Sequence, residues 1–217
     1  LMFVPYFLRR AADCAFRYQK GADRDQMERA DVAISLDFGN YKLKAAYIDR
    51  TQAGPDGSGE CRNLNPSEHP DGVSSFFAIN RHGEMRFGAD AERPKNGFVR
   101  TARLKTGIGN AIAGSDGKPF LVGDMTFCYD TAVTAAAEAF LRGVNERLGY
   151  MGIGPVMDIF LSYPASADFG LAKLTRFVRL IEAATLEDRT HFRVRGTICE
   201  PAAAALNYLA GTREKKP

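Results

Sequence analysis

Helix and strand patterns alternate over the last third of the chain, and this alternation constrains the fold more than any other feature. Apolar residues recur at three- and four-residue steps from Val133 to Leu148 and from Leu171 to Ile181, as in amphipathic helices. The strand-like runs "VMDIFLSY" and "FRVRGTI" follow these helices, and "PAAAALNYLA" opens on Pro201, which suits a first helical position. Strands that alternate with helices in this way predict an α/β sheet with right-handed crossovers.

An Asp-Phe-Gly tripeptide closes the first strand-like run of the chain. The runs "DVAISLDF" and "YKLKAAYI" meet at Gly39-Asn40, and both of these residues tolerate positive φ in a tight turn. We therefore expect a hairpin in which the carboxylate of Asp37 stands beside a glycine turn. Such a turn can direct backbone N–H groups at phosphate oxygens while the carboxylate faces a hydrated magnesium ion. Taken alone, however, the tripeptide is more typical of a plain turn.

A second Asp-Phe-Gly begins at Asp168 and matches the start of a protein-kinase activation segment. A kinase would also need a glycine-rich loop and a His-Arg-Asp catalytic loop shortly upstream. The preceding segment has no His-Arg-Asp, and "GIGNAIAG" lacks the glycine spacing of such a loop. We therefore interpret Asp168 as a capping or first-turn carboxylate of the second amphipathic helix. For the first amphipathic helix we expect Asp130 or Thr131 as the cap.

Turn-forming residues dominate the middle of the chain. The segment from Gln52 to Gly72 is rich in Pro and Gly and leaves room for at most one short strand, near Cys61. The runs "VSSFFAIN" and "EMRFG" flank a turn at residues 81–83 and predict a second hairpin. Glycines between Ala89 and Gly123 indicate loops that join short elements.

At the amino end, the segment from Phe7 to Ala30 predicts an amphipathic helix. This helix would pack on the domain or a partner, or else lie on a membrane surface.

Composition excludes several classes of function. The chain has 217 residues and a formal charge of +3, which is too small and too evenly spread for a nucleic-acid surface. Its four cysteines are far apart, with no C-x-x-C and no histidine at metal-ligand spacing, so we expect a reduced, cytoplasmic protein. The apolar amino terminus "LMFVPYFLRR" is too short for a membrane span and wrongly ordered for a signal peptide.

Several motifs resemble those of one superfamily, and they occur in the same order. "AISLDFGNYKLKAA" resembles the phosphate-1 motif of the ATPase superfamily that includes actins, sugar kinases and DnaK-type heat-shock chaperones. "VSSFFAINRHGEMRFGADAER", "RLKTGIG" and "VMDIFLSYPAS" resemble later segments of the chaperone branch. "ICEPAAAALNYLAG" is similar to that branch's "I-N-E-P-T-A-A-A-I-A-Y" and is the most specific of the set. The resemblance covers residues 31–211.

The resemblance implies a ribonuclease-H-like, actin-type ATPase lobe of the α/β class. Such a lobe has a mixed β-sheet with flanking helices and an inserted, smaller α+β subdomain. Residues 31–65 and 129–217 would form the core of the lobe, and residues 66–128 the inserted subdomain. Residues 1–30 would be an amino-terminal helical extension. The implied cofactors of the complete two-lobe protein are ATP and Mg²⁺.

The phosphate hairpin of the family supplies the first group of implied site residues. The resemblance implies that Asp37 coordinates Mg²⁺ through water and that the turn binding the phosphates consists of Gly39, Asn40 and Tyr41. Lys44 stands where actins and some partition proteins have a phosphate-binding lysine, whereas chaperones usually lack one. Chaperones place hydroxyl residues after the glycine. Asn40 and Tyr41 depart from that pattern, so ATP turnover is an open question for this sequence.

Three later residues complete the implied site. Lys105 matches the lysine that reaches the γ-phosphate and the attacking water, and its alternative reading is a solvated lysine. Glu200 matches the carboxylate near magnesium and the in-line water, although a carboxylate in a first helical turn is also favoured by the helix dipole. Pro164 matches the proline that couples nucleotide state to lobe movement, or it only ends a strand. A lysine and two carboxylates around magnesium and phosphate suit phosphoryl transfer.

The chain ends in "GTREKKP", where the connection to a second lobe is expected. We therefore expect the first lobe of a longer DnaK-like chaperone or chaperone-like ATPase, inactive in hydrolysis by itself. Its expected partners are the second lobe, unfolded peptide clients and co-chaperones, but neither nucleic acid nor a membrane. Two alternatives stay open. One is an actin-like, filament-forming partition or cytoskeletal ATPase, which Lys44 favours and "EPAAAA" disfavours, and the other is an interaction module that no longer binds nucleotide.

Overall fold

The computed structural model describes residues 32–49, 60–66, 69–93, 97–166 and 168–202. Within these residues the chain forms mixed α/β structure. The strands are β1 (Val32–Phe38), β2 (Lys42–Asp49), β3 (Glu60–Asn63), β4 (Val73–Ser74), β5 (Phe77–Asn80), β6 (Met85–Phe87), β7 (Phe98–Thr101), β8 (Leu121–Val122), β9 (Met125–Thr126), β10 (Asp158–Tyr163) and β11 (Arg193–Cys199). The helices are α1 (Ala89–Glu92), α2 (Leu104–Gly107), α3 (Tyr129–Tyr150) and α4 (Leu171–Glu182). The amino-terminal helix predicted from Phe7 to Ala30 lies outside the described residues.

The main sheet is mixed, with the strand order β11-β10-β1-β2-β3 and with β4 added beside β2. Strands β1, β10 and β11 are parallel, whereas β2 is antiparallel to both β1 and β3. Helix α4 connects β10 to β11, which is the helical crossover that two adjacent parallel strands require. The predicted alternation of strands and helices up to β11, the first hairpin and the short strand near Cys61 are therefore confirmed, whereas the helix predicted to open at Pro201 lies mostly outside the described residues.

Period-two burial gives the sheet its apolar face. Along β1 the side chains of Ile34, Leu36 and Phe38 are fully buried, and Leu43 and Ala45 continue the same face on β2. The long helix α3 buries an apolar stripe in the same cluster, whose members include Val133, Ala137, Phe140, Val144 and Leu148. The sheet and the two long helices therefore share one hydrophobic core.

A second, antiparallel sheet has the order β6-β5-β7 and lies between β4 and α3 in the sequence. Its β5–β6 pair is the second predicted hairpin, which is confirmed. Phe77 of β5 stacks on Phe127, and both rings belong to the same buried cluster as the main sheet. Short helices and the β8–β9 hairpin fill the rest of this segment. Among the described residues, no helix is long and apolar enough to cross a membrane.

Both predicted helix caps are wrong. Helix α3 begins at Tyr129 after Cys128, so Asp130 lies inside the first turn, where its carboxylate accepts a hydrogen bond from the N–H of Gly109 at 2.7 Å. Its other oxygen meets Nε of Arg176 on α4 at 2.5 Å. Helix α4 begins at Leu171, and the exposed Asp168 stands in the turn before its cap. Asp130 therefore connects a loop to a neighbouring helix, and Asp168 does not cap α4.

Candidate functional site

The carboxyl ends of the three parallel strands meet at one edge of the main sheet. Asp37 is the penultimate residue of β1, and Ser162 is the penultimate residue of its parallel neighbour β10. The hydroxyl of Ser162 donates a hydrogen bond to Oδ1 of Asp37 at 2.9 Å. The sequence interpretation did not identify Ser162, because only the pairing of strands that are 125 positions apart brings the two side chains together. This edge, which we call the carboxyl edge, carries the candidate site.

The turn between β1 and β2 consists of residues 39–41 and is one residue longer than the predicted Gly-Asn turn. The N–H of Gly39 donates to the carbonyl of Lys42 at 3.0 Å. A Cβ at position 39 would stand only 2.5 Å from that carbonyl oxygen, so only glycine fits without movement of the backbone. Neither Gly39 nor Asn40 adopts a positive φ. Close approach of the backbone, rather than the predicted positive φ, is therefore the reason for glycine here.

Arg103 joins the β1–β2 turn to helix α2. Its backbone N–H donates to the carbonyl of Asn40 at 3.1 Å, and its Nε and one terminal nitrogen contact the hydroxyl of Tyr41 at 3.1 and 2.6 Å. Arg103 adopts the left-handed conformation, with φ 54° and ψ 42°, which is uncommon for a residue with a Cβ. Its carbonyl accepts the N–H of Thr106. One residue thus fixes the turn relative to the helix that carries Lys105.

Lys105 and Glu200 form an ion pair at the carboxyl edge. Nζ of Lys105 lies 2.5 Å from Oε1 of Glu200, and the lysine side chain is 1% exposed whereas that of the glutamate is 42% exposed. The alternative reading of Lys105 as a solvated lysine is therefore wrong. Glu200 is the first helical residue after β11. A buried ammonium must keep a carboxylate or another anion beside it, because an unpaired buried charge is costly.

Pro164 and Lys44 also lie at this edge. Pro164 follows β10 directly and is half-buried, and because Tyr163 pairs with Cys199, Pro164 and Glu200 leave neighbouring strands at the same level. Lys44 stands opposite Asp37 in the β1–β2 register and is exposed. Residues that face each other across an antiparallel pair extend on the same side of the sheet. Lys44 makes no ion pair with any residue that the structure describes.

The carboxylates at the carboxyl edge fit only one kind of metal site. Within the described residues, no group of three or more His, Cys, Asp or Glu side chains could hold a metal ion. Asp37 and Glu200 are two carboxylates at one edge, and Mg²⁺ in nucleotide sites is held by one or two carboxylates together with phosphate oxygens and water. The residues present therefore suit a magnesium ion that arrives with a phosphate ligand, and they do not form a closed metal cage.

Comparisons with known proteins assign no family. A scan against protein-family models finds no model that matches the chain, and a search of curated proteins finds no match.

Proposed function

We propose that the carboxyl edge is the phosphate-binding half of an ATPase site and that the chain is the first lobe of a DnaK-like chaperone or chaperone-like ATPase. The observation that carries the proposal is the ion pair between Lys105 and Glu200. It brings a buried ammonium and a half-exposed carboxylate to the strand ends where Asp37 stands, although the two residues are 95 positions apart in the sequence.

The architecture supports the finer fold within the mixed α/β class. An antiparallel hairpin extends a parallel set of strands in the main sheet, and a separate small sheet is inserted between β3 and β10. A ribonuclease-H-like, actin-type lobe with an inserted subdomain would have such an arrangement, which supports this finer proposal. Ligands of α/β proteins commonly bind beyond the carboxyl ends of the parallel strands, which is where the candidate residues lie.

Each of the three ionisable residues has a role that its position allows. Phosphoryl transfer depends mainly on positioning and on stabilisation of charge. Lys105 would bind an oxygen of the terminal phosphate, and Glu200, released from its lysine, would orient the attacking water. Asp37, held by Ser162, would face the hydration shell of the magnesium ion. A magnesium ion bound with the nucleotide would neutralise part of the phosphate charge. The second lobe of the proposed ATPase would supply the other half of the cleft.

One observation favours a second candidate. The exposed ammonium of Lys44, directly across from Asp37, would suit an actin-like filament-forming ATPase, in which a lysine at this step binds phosphate. Loss of phosphate binding in Lys44→Ala, together with nucleotide-dependent filaments of the complete protein, would support this alternative. A DnaK-like protein should keep phosphate binding in Lys44→Ala and form no filaments.

Hydrolysis by the complete two-lobe protein tests the proposal. We expect Lys105→Ala and Glu200→Ala each to lower the rate of ATP hydrolysis by about 100-fold, the scale of losing one positioned charged group at a phosphoryl-transfer site. The matched control is Lys118→Ala, which removes an exposed lysine from the loop before β8. Circular dichroism would show that all variants are folded. Unchanged hydrolysis in both site variants would contradict the assignment and would favour an interaction module that does not use nucleotide.

A further inference from the structure

The side chains of the β1–β2 turn have few free groups that could bind a phosphate. The hydroxyl of Tyr41 already accepts two hydrogen bonds from Arg103, and Oδ1 of Asn40 is buried without a hydrogen-bond partner. The N–H of Gly39 is used by the carbonyl of Lys42. Residues of the hydroxyl type, which the family motif places after the glycine, are replaced here by Asn40 and Tyr41. Residues 39–41 are all uncharged, so a phosphate held at this turn would gain from a cationic donor beside it.

Arg103 has the position and the free donors to supply that contact. Nε and one terminal nitrogen of its guanidinium are held by the Tyr41 hydroxyl, while the other terminal nitrogen has no acceptor among the residues that the structure describes. The guanidinium also lies over the Tyr41 ring, 5.5 Å from its centroid, so both hydrogen bonds and a cation–π contact hold its orientation. Arg103 is exposed and stands two positions before Lys105.

Arg103 has a strained backbone conformation. A left-handed φ of 54° is costly for a residue with a Cβ, and glycine would adopt it freely. Strained conformations that the fold maintains are concentrated at functional sites. The position favours glycine, so we look for a role of the arginine side chain. The contacts of Arg103 are with the β1–β2 turn and not with the hydrophobic core.

We infer that Arg103 is a second phosphate-binding cation of the site and that Tyr41 is the residue that positions it. This inference rests on the proposed function and deepens it. The ligand is the phosphate chain of a nucleoside triphosphate, which contacts the free terminal nitrogen of the guanidinium on one side and Lys105 on the other. A guanidinium suits this role because it stays charged and because its free terminal nitrogen still has two N–H donors for phosphate oxygens. Arg103 would add a charged contact that the neutral side chains of Asn40 and Tyr41 do not provide.

The test is a titration of the full chain with magnesium tripolyphosphate, followed by ¹⁵N NMR, which measures weak binding. The main variant is Arg103→Gly, because glycine removes the guanidinium and relieves the left-handed strain, so the variant should melt no lower than the wild type. We expect its Kd to rise about five- to tenfold, the scale of one charge-assisted contact at an exposed site. Arg103→Lys should recover part of the affinity, and Tyr41→Phe should raise Kd by about two- to threefold because it releases the guanidinium.

Two measurements separate a phosphate contact from a merely structural role. The logarithm of Kd against the logarithm of salt concentration should have a lower slope in Arg103→Gly, because one fewer cation meets the phosphates. Arg81→Ala, which removes an exposed arginine from the β5–β6 turn, should change neither Kd nor the slope. If Lys105→Ala weakens binding while Arg103→Gly leaves Kd and slope unchanged, the inference is wrong and the proposed function stands. If neither variant changes binding, or the wild-type chain shows no saturable binding, both are wrong.

Discussion

Lys105 and Glu200 are 95 positions apart, and the ammonium of the first lies 2.5 Å from the carboxylate of the second. The pair joins the short helix α2 to the end of the last parallel strand, so two distant parts of the chain meet at the edge where Asp37 stands. The two partners differ in burial, since the lysine side chain is 1% exposed and the glutamate side chain 42% exposed. This asymmetry determines how the pair should respond to substitution.

Glu200→Ala should destabilise the fold more than Lys105→Met does, although Glu200 is the more exposed residue. Without Glu200 a buried ammonium loses its partner, and we expect a cost of about 2–4 kcal/mol. Lys105→Met removes the buried charge and keeps most of the side-chain volume, and the remaining glutamate can be hydrated, so its cost should stay below about 1.5 kcal/mol. Urea denaturation measures both values.

An amide at position 200 provides the control for that prediction. Glu200→Gln keeps an oxygen that can accept a hydrogen bond from Lys105, so its cost should fall between those of the two other variants. If Lys105→Met proved more destabilising than Glu200→Ala, the ammonium would not depend on the glutamate, and the pair would not be the feature that holds this edge together.

Gly39→Ala should distort the β1–β2 turn. The added Cβ would lie 2.5 Å from the carbonyl oxygen of Lys42, and backbone cannot move aside as a flexible side chain can. We expect a loss of about 1–3 kcal/mol in the free energy of unfolding. Gly143→Ala is the matched control, because it lies within α3 with open space around a new Cβ and should stabilise the protein by about 0.5–1 kcal/mol. Equal effects of both substitutions in urea denaturation would contradict the close approach at the turn.

Substitution of Asp130 should show how much its contacts with Gly109 and Arg176 contribute to the free energy of unfolding. Asp130→Asn keeps an acceptor for the N–H of Gly109 but loses the ion pair with Arg176, which is 58% exposed, so we expect a cost below about 1 kcal/mol. Asp130→Ala loses both contacts and should cost about 1–2 kcal/mol. Arg176→Ala in the Asp130→Asn background should add almost nothing. A large additional effect in that double-mutant cycle would show that Arg176 acts through other contacts.

Local features of the fold were predictable from the sequence. The hairpin at Gly39, the second hairpin, helices α3 and α4 and strands β10 and β11 follow from apolar periodicity and turn residues, which depend on neighbours within a few positions. The helix caps were not predictable in the same way. Asp130 and Asp168 stand where a capping carboxylate is common. The two oxygens of Asp130 instead accept hydrogen bonds from Gly109 and Arg176, and the turn before α4 places Asp168 outside the helix.

Two contacts at the candidate site, those of Ser162 and Arg103, were not predicted because they join residues that are distant in the sequence. Ser162 meets Asp37 only because β10 pairs with β1, and Arg103 meets Tyr41 across 62 positions. A lone Ser or Arg in a sequence carries no signal for such a contact, whereas motif resemblance suggests Lys105 and Glu200 as site residues. Motif residues were therefore identified individually, and the residues that hold them in place became visible only in the structure.

Titration of the ¹⁵N-labelled chain with magnesium ATP would show whether the carboxyl edge binds phosphate. We expect saturable shifts of the backbone signals of residues 39–41 and 103–105, with a dissociation constant weaker than about 100 μM, because the proposed single lobe would provide roughly half of the contacts of a closed cleft. The shifts should disappear in Lys105→Met and persist in Lys118→Met. Absence of shifts at these residues, or equal loss in both variants, would show that the carboxyl edge is not a phosphate site, and low-micromolar binding by the chain alone would rule out half of a cleft.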